Sequence, residues 1–244
     1  MIVYGRNPVR EALRGPRQVL RVWATKNAAR EPRLGGGNAG QRLSPGTAAP
    51  EMIVAPAAEI EALCGSGAHQ GICAEVEPFR YLDGADLLSR PEPLIVALDQ
   101  VQDPQNLGSI CRTAECAGAS GVVLPERRTA GVTAAVCKAS AGAVEHLPIA
   151  RVRNLVDFLS EAKAASLWCY GADADAPVAY DEVDFAGGAV LVLGSEGKGM
   201  RPRVAAACDL LLHVPMRGKV SSLGVGAVAA VLLYAARRER GPSG

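Results

Sequence analysis

Long apolar runs are missing from this chain of 244 residues: the longest, Val225 to Ala236, falls well short of the ~20 residues that span a bilayer and reads as a buried helix. The first residues, Met1-Ile2-Val3-Tyr4-Gly5-Arg6, lack the basic-then-apolar pattern of a signal peptide, so export is not expected. No cysteine pair has C-x-x-C spacing. Cys64, Cys73, Cys111, Cys116, Cys137, Cys169 and Cys208 are scattered and odd in number, and His69, His146 and His213 stand at no ligand spacing from them, which leaves no metal site to expect. The thiols are read as small, buried, apolar side chains of a protein in a reducing cytoplasm. Aromatic residues make up only 4%, yet 49% of the chain is hydrophobic and 21% charged, which excludes a disordered chain or a coiled coil and favours a compact α/β protein. At this length the core needs no metal or disulfide support, whether it forms one domain or two.

A strong excess of one charge is also missing, the formal net charge being +1. The distribution carries more than the sum. Residues 1–42 hold nine Arg or Lys against Glu11 and Glu31, a local charge of +7, and the remainder is −6. A basic end on a mildly acidic body fits an RNA-gripping segment, because phosphate contacts supply most non-specific affinity for nucleic acid; a solvated helix face would have the same composition.

The periodicity divides the chain. Residues 2–14 end in a helical pattern, Val19 to Ala24 reads as a strand, and the Gly-, Ser- and Pro-rich stretch 35–50 as a mobile loop. Met52 to Val54 and Gly71 to Val76 read as strands around a helix at Ala57 to Leu63, giving a small α/β domain over residues 1–78. A linker is expected over 79–93, with prolines at 91 and 93. Residues 94–244 then alternate apolar strands (94–98, 121–124, 167–170, 189–193, 210–214) with helices (107–117, 132–140, 152–165, 225–238). That alternation predicts a parallel sheet covered on both faces.

In open parallel sheets ligands sit beyond the carboxyl ends of the strands, and three of the loops there are unusual. In the first, Asp99 to Ala114, Pro104 and Asn106 suit a turn and helix start, and Arg112 stands in an otherwise small, apolar helix face where a guanidinium needs an anionic or carbonyl partner. Asn106 alone reads equally as a helix cap, and Arg112 alone as half of a salt bridge. In the second, Leu191 to Met200, the glycines run G-x-x-G-x-G, which is not the dinucleotide fingerprint, and Lys198 is followed by Gly199 where a P-loop needs Ser or Thr. Glu196 inside that loop would repel phosphates, so a neutral or cationic ligand is favoured. In the third, His213 to Ala227, Pro215 stops a strand, Gly218 allows a turn, and Ser221 or Ser222 can cap the last helix.

Together these segments closely resemble, in content, order and spacing, the three signature motifs of the SpoU/TrmH family of SPOUT-class RNA 2′-O-ribose methyltransferases. At the N-terminus, Tyr4 to Leu13 and His69-Gln70-Gly71 resemble the RNA-binding extension, built like a small ribosomal protein, of the subgroup that modifies a guanosine in 23S ribosomal RNA. The resemblance implies a C-terminal domain with a parallel sheet and a deep trefoil knot, a feature that general connection rules would exclude. It implies S-adenosylmethionine held by Gly194, Val214 and Leu223 with Met216 nearby, and a homodimer with the terminal helix in its interface. Asn106, Arg112, Glu196 and Ser222 would surround the chemistry. Arg112 would bind the target phosphate and stabilise the developing alkoxide rather than abstract a proton, since a guanidinium offers donors and no acceptor, and Glu196 would fix Asn106 or Arg112. The RNA would be 23S ribosomal RNA, with transfer RNA as the alternative. His69 is placed with the RNA-facing motif, His146 and His213 with the structure.

One departure stands out. Where the family reads Ser-Leu-Asn-Val-Ser, this chain has Ser222-Leu223-Gly224-Val225-Gly226, without the Asn amide and the second hydroxyl. Three readings therefore stand: an active methyltransferase, a catalytically degenerate RNA-binding relative, and a nucleotide-binding enzyme of another class.

Overall fold

The computed structural model describes residues 1–31, 49–220 and 222–239. In chain order the elements begin with β1 (Ile2–Tyr4), α1 (Arg6–Arg14), β2 (Val19–Ala24), α2 (Lys26–Ala29), β3 (Glu51–Val54), α3 (Ala57–Cys64), β4 (Ile72–Val76) and α4 (Gly84–Leu88). They continue with β5 (Leu94–Leu98), α5 (Pro104–Cys116), β6 (Gly121–Pro125), α6 (Ala134–Ala139), β7 (Ile149–Val152), α7 (Leu155–Ala164), β8 (Trp168–Ala172) and β9 (Val178–Ala179). Last come β10 (Ala189–Leu193), α8 (Pro202–Ala205), β11 (Leu210–His213) and α9 (Val225–Glu239). All but the last two residues of the stretch expected as a mobile loop, 35–50, lie outside the described residues.

The chain forms two compact units. The first joins the described residues of Met1–Arg80 to Val132–His146. Its sheet has the order β1-β4-β2-β3, with β4 antiparallel to both neighbours and β2 parallel to β3. Trp23, Ile60 and Cys73 pack beneath it. Helix α3 ends at Gly65, whose φ of +65° is the left-handed cap that glycine adopts without strain. Helix α6, capped by Thr133, packs against β1, so a segment read in sequence with the second domain belongs physically with the first. His69, expected to face RNA, is buried, and its Nδ1 accepts a hydrogen bond from the Gly71 amide at 3.0 Å. His146 pairs with Glu11 at 3.0 Å.

The second unit, Tyr81–Gly131 with the chain from Leu147 onward, is built on a seven-stranded sheet of order β7-β6-β5-β10-β8-β11-β9, with every pairing parallel. The apolar runs become strands because both faces are covered: Ile95, Ala97, Val190 and Val192 pack with Leu155, Phe158 and Leu159 of α7. The intervening Val96, Leu98, Leu191 and Leu193 turn to the opposite face and are equally buried. Helices α5 and α9 pack on one another.

Three local differences from the sequence reading have physical causes. The helix expected from Val152 starts at Leu155, because Asn154 caps it by accepting from the Val156 amide at 3.1 Å; Ile149–Val152 instead pairs with β6 as an edge strand. The expected linker carries α4, opened by a capping box in which Asp83 and Asp86 each accept from the other's end of the turn. Helix α5 begins at Pro104 rather than Leu107, since Asp103 is its cap.

The first unit is held internally by an ion pair between Arg17 and Glu145, whose side chains are 6% and 1% exposed; one of its contacts, Arg17 Nε to Glu145 Oε2, measures 3.0 Å. Burial pushes the Glu145 carboxyl up, and the Arg17 guanidinium acts against that shift. Removing one partner leaves a buried charge uncompensated, which costs several kcal/mol. Glu145→Gln is therefore expected to lower the stability of this unit by about 3 kcal/mol. Urea unfolding in a Trp168→Phe background, where Trp23 alone reports, measures it; a change within about 1 kcal/mol would remove the pair from the account.

Candidate active site

Parallel strands place all their carboxyl ends along one edge, and the strand order sets β5, β10, β8 and β11 side by side. The loops leaving β8, β10 and β11 enclose a cleft of about 400 Å³. Gly194, Glu196, Val214, Met216, Ser222 and Leu223, all predicted from sequence, line it. Ser221, the alternative cap, lies outside the described residues.

The shape of the second loop follows from Gly194. A Cβ there would lie 2.1 Å from the Gly199 carbonyl carbon and 2.2 Å from the Met200 nitrogen, so the chain can fold back on the strand end only over a glycine. Ser195 and Gly199 exchange backbone hydrogen bonds of 3.0 and 2.9 Å, and Gly197 and Gly199 take φ of +81° and +64°. This tight turn carries Glu196.

Asp99, the first residue after β5, anchors the turn and was not singled out from the sequence. It is fully buried and accepts from the Arg201 amide at 2.7 Å, from Arg201 Nε at 2.8 Å and from Nη2 at 2.7 Å. A carboxylate directly behind an all-apolar strand was its only signal in the sequence, because a charge so placed requires a partner.

The cap of α5 is Asp103 and not Asn106. Asp103 accepts from the amides of Gln105 at 3.1 Å and Asn106 at 3.3 Å, and Pro104 occupies the first turn, so the Asn106 side chain is not used as a cap. Its Nδ2 donates instead to Glu196 Oε2 at 3.0 Å. A carboxylate only accepts, so the amide nitrogen must face it and the amide oxygen is turned elsewhere. Arg112 is exposed and is not among the residues lining the cleft; it stands six residues beyond Asn106, about 9 Å along the axis and roughly 120° around it.

The two departures from the third motif also have a structural setting. Among the described residues a Cβ on Gly224 would meet only Glu196 Oε1, at 3.8 Å, the carboxylate oxygen that Asn106 does not engage. A Cβ on Gly226 would fall 2.9 Å from Ser109 Oγ and 3.4 Å from Ser109 Cβ. Glycine at 226 thus leaves room for the Ser109 side chain of α5.

Two polar groups in the cleft were not assigned to it from sequence. Asp173, at the end of β8, lines it, as does His213, whose Nδ1 is buried without a hydrogen-bond partner among the described residues. With Asp173 and Glu196 both in the wall, the cleft favours a neutral or cationic ligand over a phosphate.

Residues 93–234, which include every residue lining this cleft, match the model of the SpoU rRNA Methylase family. The chain belongs to the SpoU family. Residues 2–82 separately match the model for RNA 2′-O ribose methyltransferase substrate binding. Among relatives of the SpoU chain, YacO of Bacillus subtilis, which carries the name of a TrmH family tRNA/rRNA methyltransferase, is 39% identical over 99% of this chain and 97% of its own. An AdoMet-bound rRNA methyltransferase from Sinorhizobium meliloti superposes with a TM-score of 0.79 at 26% identity, over 97% of this chain and 86% of that one. The TrmH/SpoU tRNA modifying enzyme of A. aeolicus reaches 0.55 at 28% identity, over 64% of this chain and 80% of that one.

The geometry of the SpoU loop predicts a contrast between two glycines. Gly194→Ala drives a methyl group into backbone and is expected to cost about 3 kcal/mol or more, whereas Gly224→Ala meets open space and should stay within about 0.5 kcal/mol of the parent. Chemical unfolding of both variants checks this, and equal losses would refute the close approach at Gly194.

Proposed function

We propose that this SpoU chain transfers a methyl group from S-adenosylmethionine to a ribose 2′-hydroxyl of RNA, and that its target is a guanosine in 23S ribosomal RNA. The observation that carries the reading is the Asn106–Glu196 hydrogen bond, made between the first and second motif loops at a cleft fit for a cation. The residues present suit S-adenosylmethionine: two carboxylates oppose a sulfonium charge, Gly194 keeps the wall at backbone level, and the buried Nδ1 of His213 has no hydrogen-bond partner among the described residues. Gly194, Val214 and Leu223 would hold it, with Met216 against it. When bound, it supplies an electrophilic methyl group.

The other reactant is a very weakly acidic alcohol that must be positioned and relieved of its proton. Glu196 fixes the Asn106 amide, which leaves the amide oxygen to orient the ribose. Ser222 lines the same cleft and can hydrogen-bond the incoming nucleotide. Arg112, permanently charged, suits the target phosphate and the developing alkoxide better than it suits proton abstraction. Its exposed position on α5 is compatible with meeting RNA from solvent.

Ribosomal RNA is favoured over transfer RNA by coverage. The rRNA methyltransferase neighbour spans 97% of this chain, the tRNA-modifying neighbour only 64%. All nine basic residues of the stretch 1–42 lie within the part matched to the substrate-binding model. The trefoil knot, a cytoplasmic location and a homodimer through α9 belong to this reading. α9 brings an exposed Tyr234 to such an interface.

The test is methyl transfer from labelled S-adenosylmethionine to 23S ribosomal RNA and to transfer RNA, followed by alkaline cleavage. A 2′-O-methyl group blocks that cleavage because it removes the attacking hydroxyl. One new alkali-resistant guanosine in 23S ribosomal RNA is expected. Labelling of transfer RNA alone would establish the second substrate, and cofactor binding without transfer to either RNA would establish the degenerate reading.

A further inference from the structure

Four arginines of the second unit take no part in this chemistry. Arg127 and Arg128 lie just beyond the end of β6, Arg151 lies in β7, and Arg153 lies one residue past its end. All four are exposed, and none is ion-paired to a carboxylate among the described residues. They stand in a part of the chain whose charge balance is acidic, since residues 43–244 sum to −6. An arginine in an edge strand can serve to discourage edge-to-edge pairing. That accounts for Arg151 and not for the other three, which lie off the strand ends.

The cluster is built rather than scattered. Leu82 lies beside β7, donating its amide to the Ile149 carbonyl at 2.9 Å and accepting from the Arg151 amide at 3.1 Å. This holds Tyr81 next to Arg151, whose guanidinium carbon sits 4.2 Å from the ring centroid. The loop after β6 closes on that stack. Where a Cβ of Gly131 would be, Arg151 Nη2 lies 2.8 Å away and the Tyr81 hydroxyl 3.2 Å away. The same loop is tied to β7 by the Glu126 amide on the Val152 carbonyl at 2.9 Å, and to the loop after β5 by the Ala130 amide on the Val101 carbonyl at 3.0 Å. The cationic loop is therefore fixed by backbone bonds to the segment that leads into α5 and Asn106.

β6 and β7 run parallel to β5 and β10, so these arginines gather at the same carboxyl edge as the cleft. From β10 to β6 is two strand spacings, roughly 10 Å. A strand of RNA with one ribose at Asn106 must continue along or away from that edge. Guanidinium groups suit its phosphates, and an arginine stacked on an aromatic ring offers a flat platform to an unstacked base.

We infer that Arg127, Arg128, Arg151 and Arg153, with Tyr81, form a track for the single-stranded RNA flanking the target nucleotide. Phosphates lie on the guanidinium groups, and a base lies against the Arg151–Tyr81 pair. The inference rests on the reading of the substrate as RNA.

The experiment uses the full chain with S-adenosylmethionine and a short fluorescein-labelled single-stranded RNA of mixed sequence, with binding followed by anisotropy across a salt series. The R127A/R128A and R151A variants are expected to lose roughly tenfold in RNA affinity, and the slope of log affinity against log salt should flatten by about 0.7 for each phosphate contact removed. Affinity for S-adenosylmethionine, measured by calorimetry, should be unchanged and reports that the fold is intact. Lys163→Ala removes the same charge at the end of α7, toward the opposite edge of the sheet, and should change RNA affinity by less than about twofold. Wild-type affinity and slope in both arginine variants, or an equal loss in Lys163→Ala, would overturn the track. A wild-type chain that binds S-adenosylmethionine but no RNA would overturn the track together with the substrate reading.

Discussion

The arrangement depends on one constraint, the insertion of β10 between β5 and β8 in parallel register, with Leu193 opposite Leu98 and Val192 opposite Gly171. Parallel pairing forces strands distant in sequence to end at one edge, so loops that begin almost a hundred residues apart meet there. Asp99 continues the ladder for one more step by donating its amide to the Leu193 carbonyl at 2.8 Å, and its buried carboxylate then grips Arg201 on the far side of the glycine turn. A slip of one residue would turn the alternating apolar side chains to the wrong faces and separate these loops.

From that register the electrostatics of the site follow. The turn between Gly194 and Met200 has no side chain at the point of closest approach, and it raises Glu196 toward Asn106. One carboxylate oxygen is engaged by the amide and the other faces the gap left by Gly224. The replacement of a motif asparagine by glycine therefore removes a possible second donor to Glu196 without disturbing the bond to Asn106. At Gly226 a Cβ would press against Ser109 Oγ on the facing helix, so glycine there goes with the close approach of α5 and α9.

Much of the frame was legible in the chain. Apolar strands without alternation could only lie inside a covered parallel sheet, and three loops with glycine, proline and isolated charge lay where such sheets bind ligands. Six of the eight residues singled out line one cleft, and a seventh, Asn106, is bonded to one of them. What could not be read was set by partners distant in sequence. β7 is short and includes Arg151, so its pattern is overwhelmed by the helix that follows. α4 is opened by two aspartates, where the usual box has Glu or Gln at its third position. Asp99, Asp173 and His213 acquire meaning only when β5, β10, β8 and β11 are neighbours. The placement of α6 with the first unit depends on its packing against β1, which no local pattern encodes.

The central claim is that Asn106 and Glu196 act as one device that orients the ribose. A double-mutant cycle tests it directly: single-turnover methyl transfer by Asn106→Ala, Glu196→Ala and the double variant, at saturating cofactor and RNA. If Glu196 works by holding Asn106, the double variant should be about as slow as Asn106→Ala alone, within roughly twofold, because partners in one hydrogen bond are strongly coupled. Losses that multiply in the double variant would show two independent contributions and contradict the account.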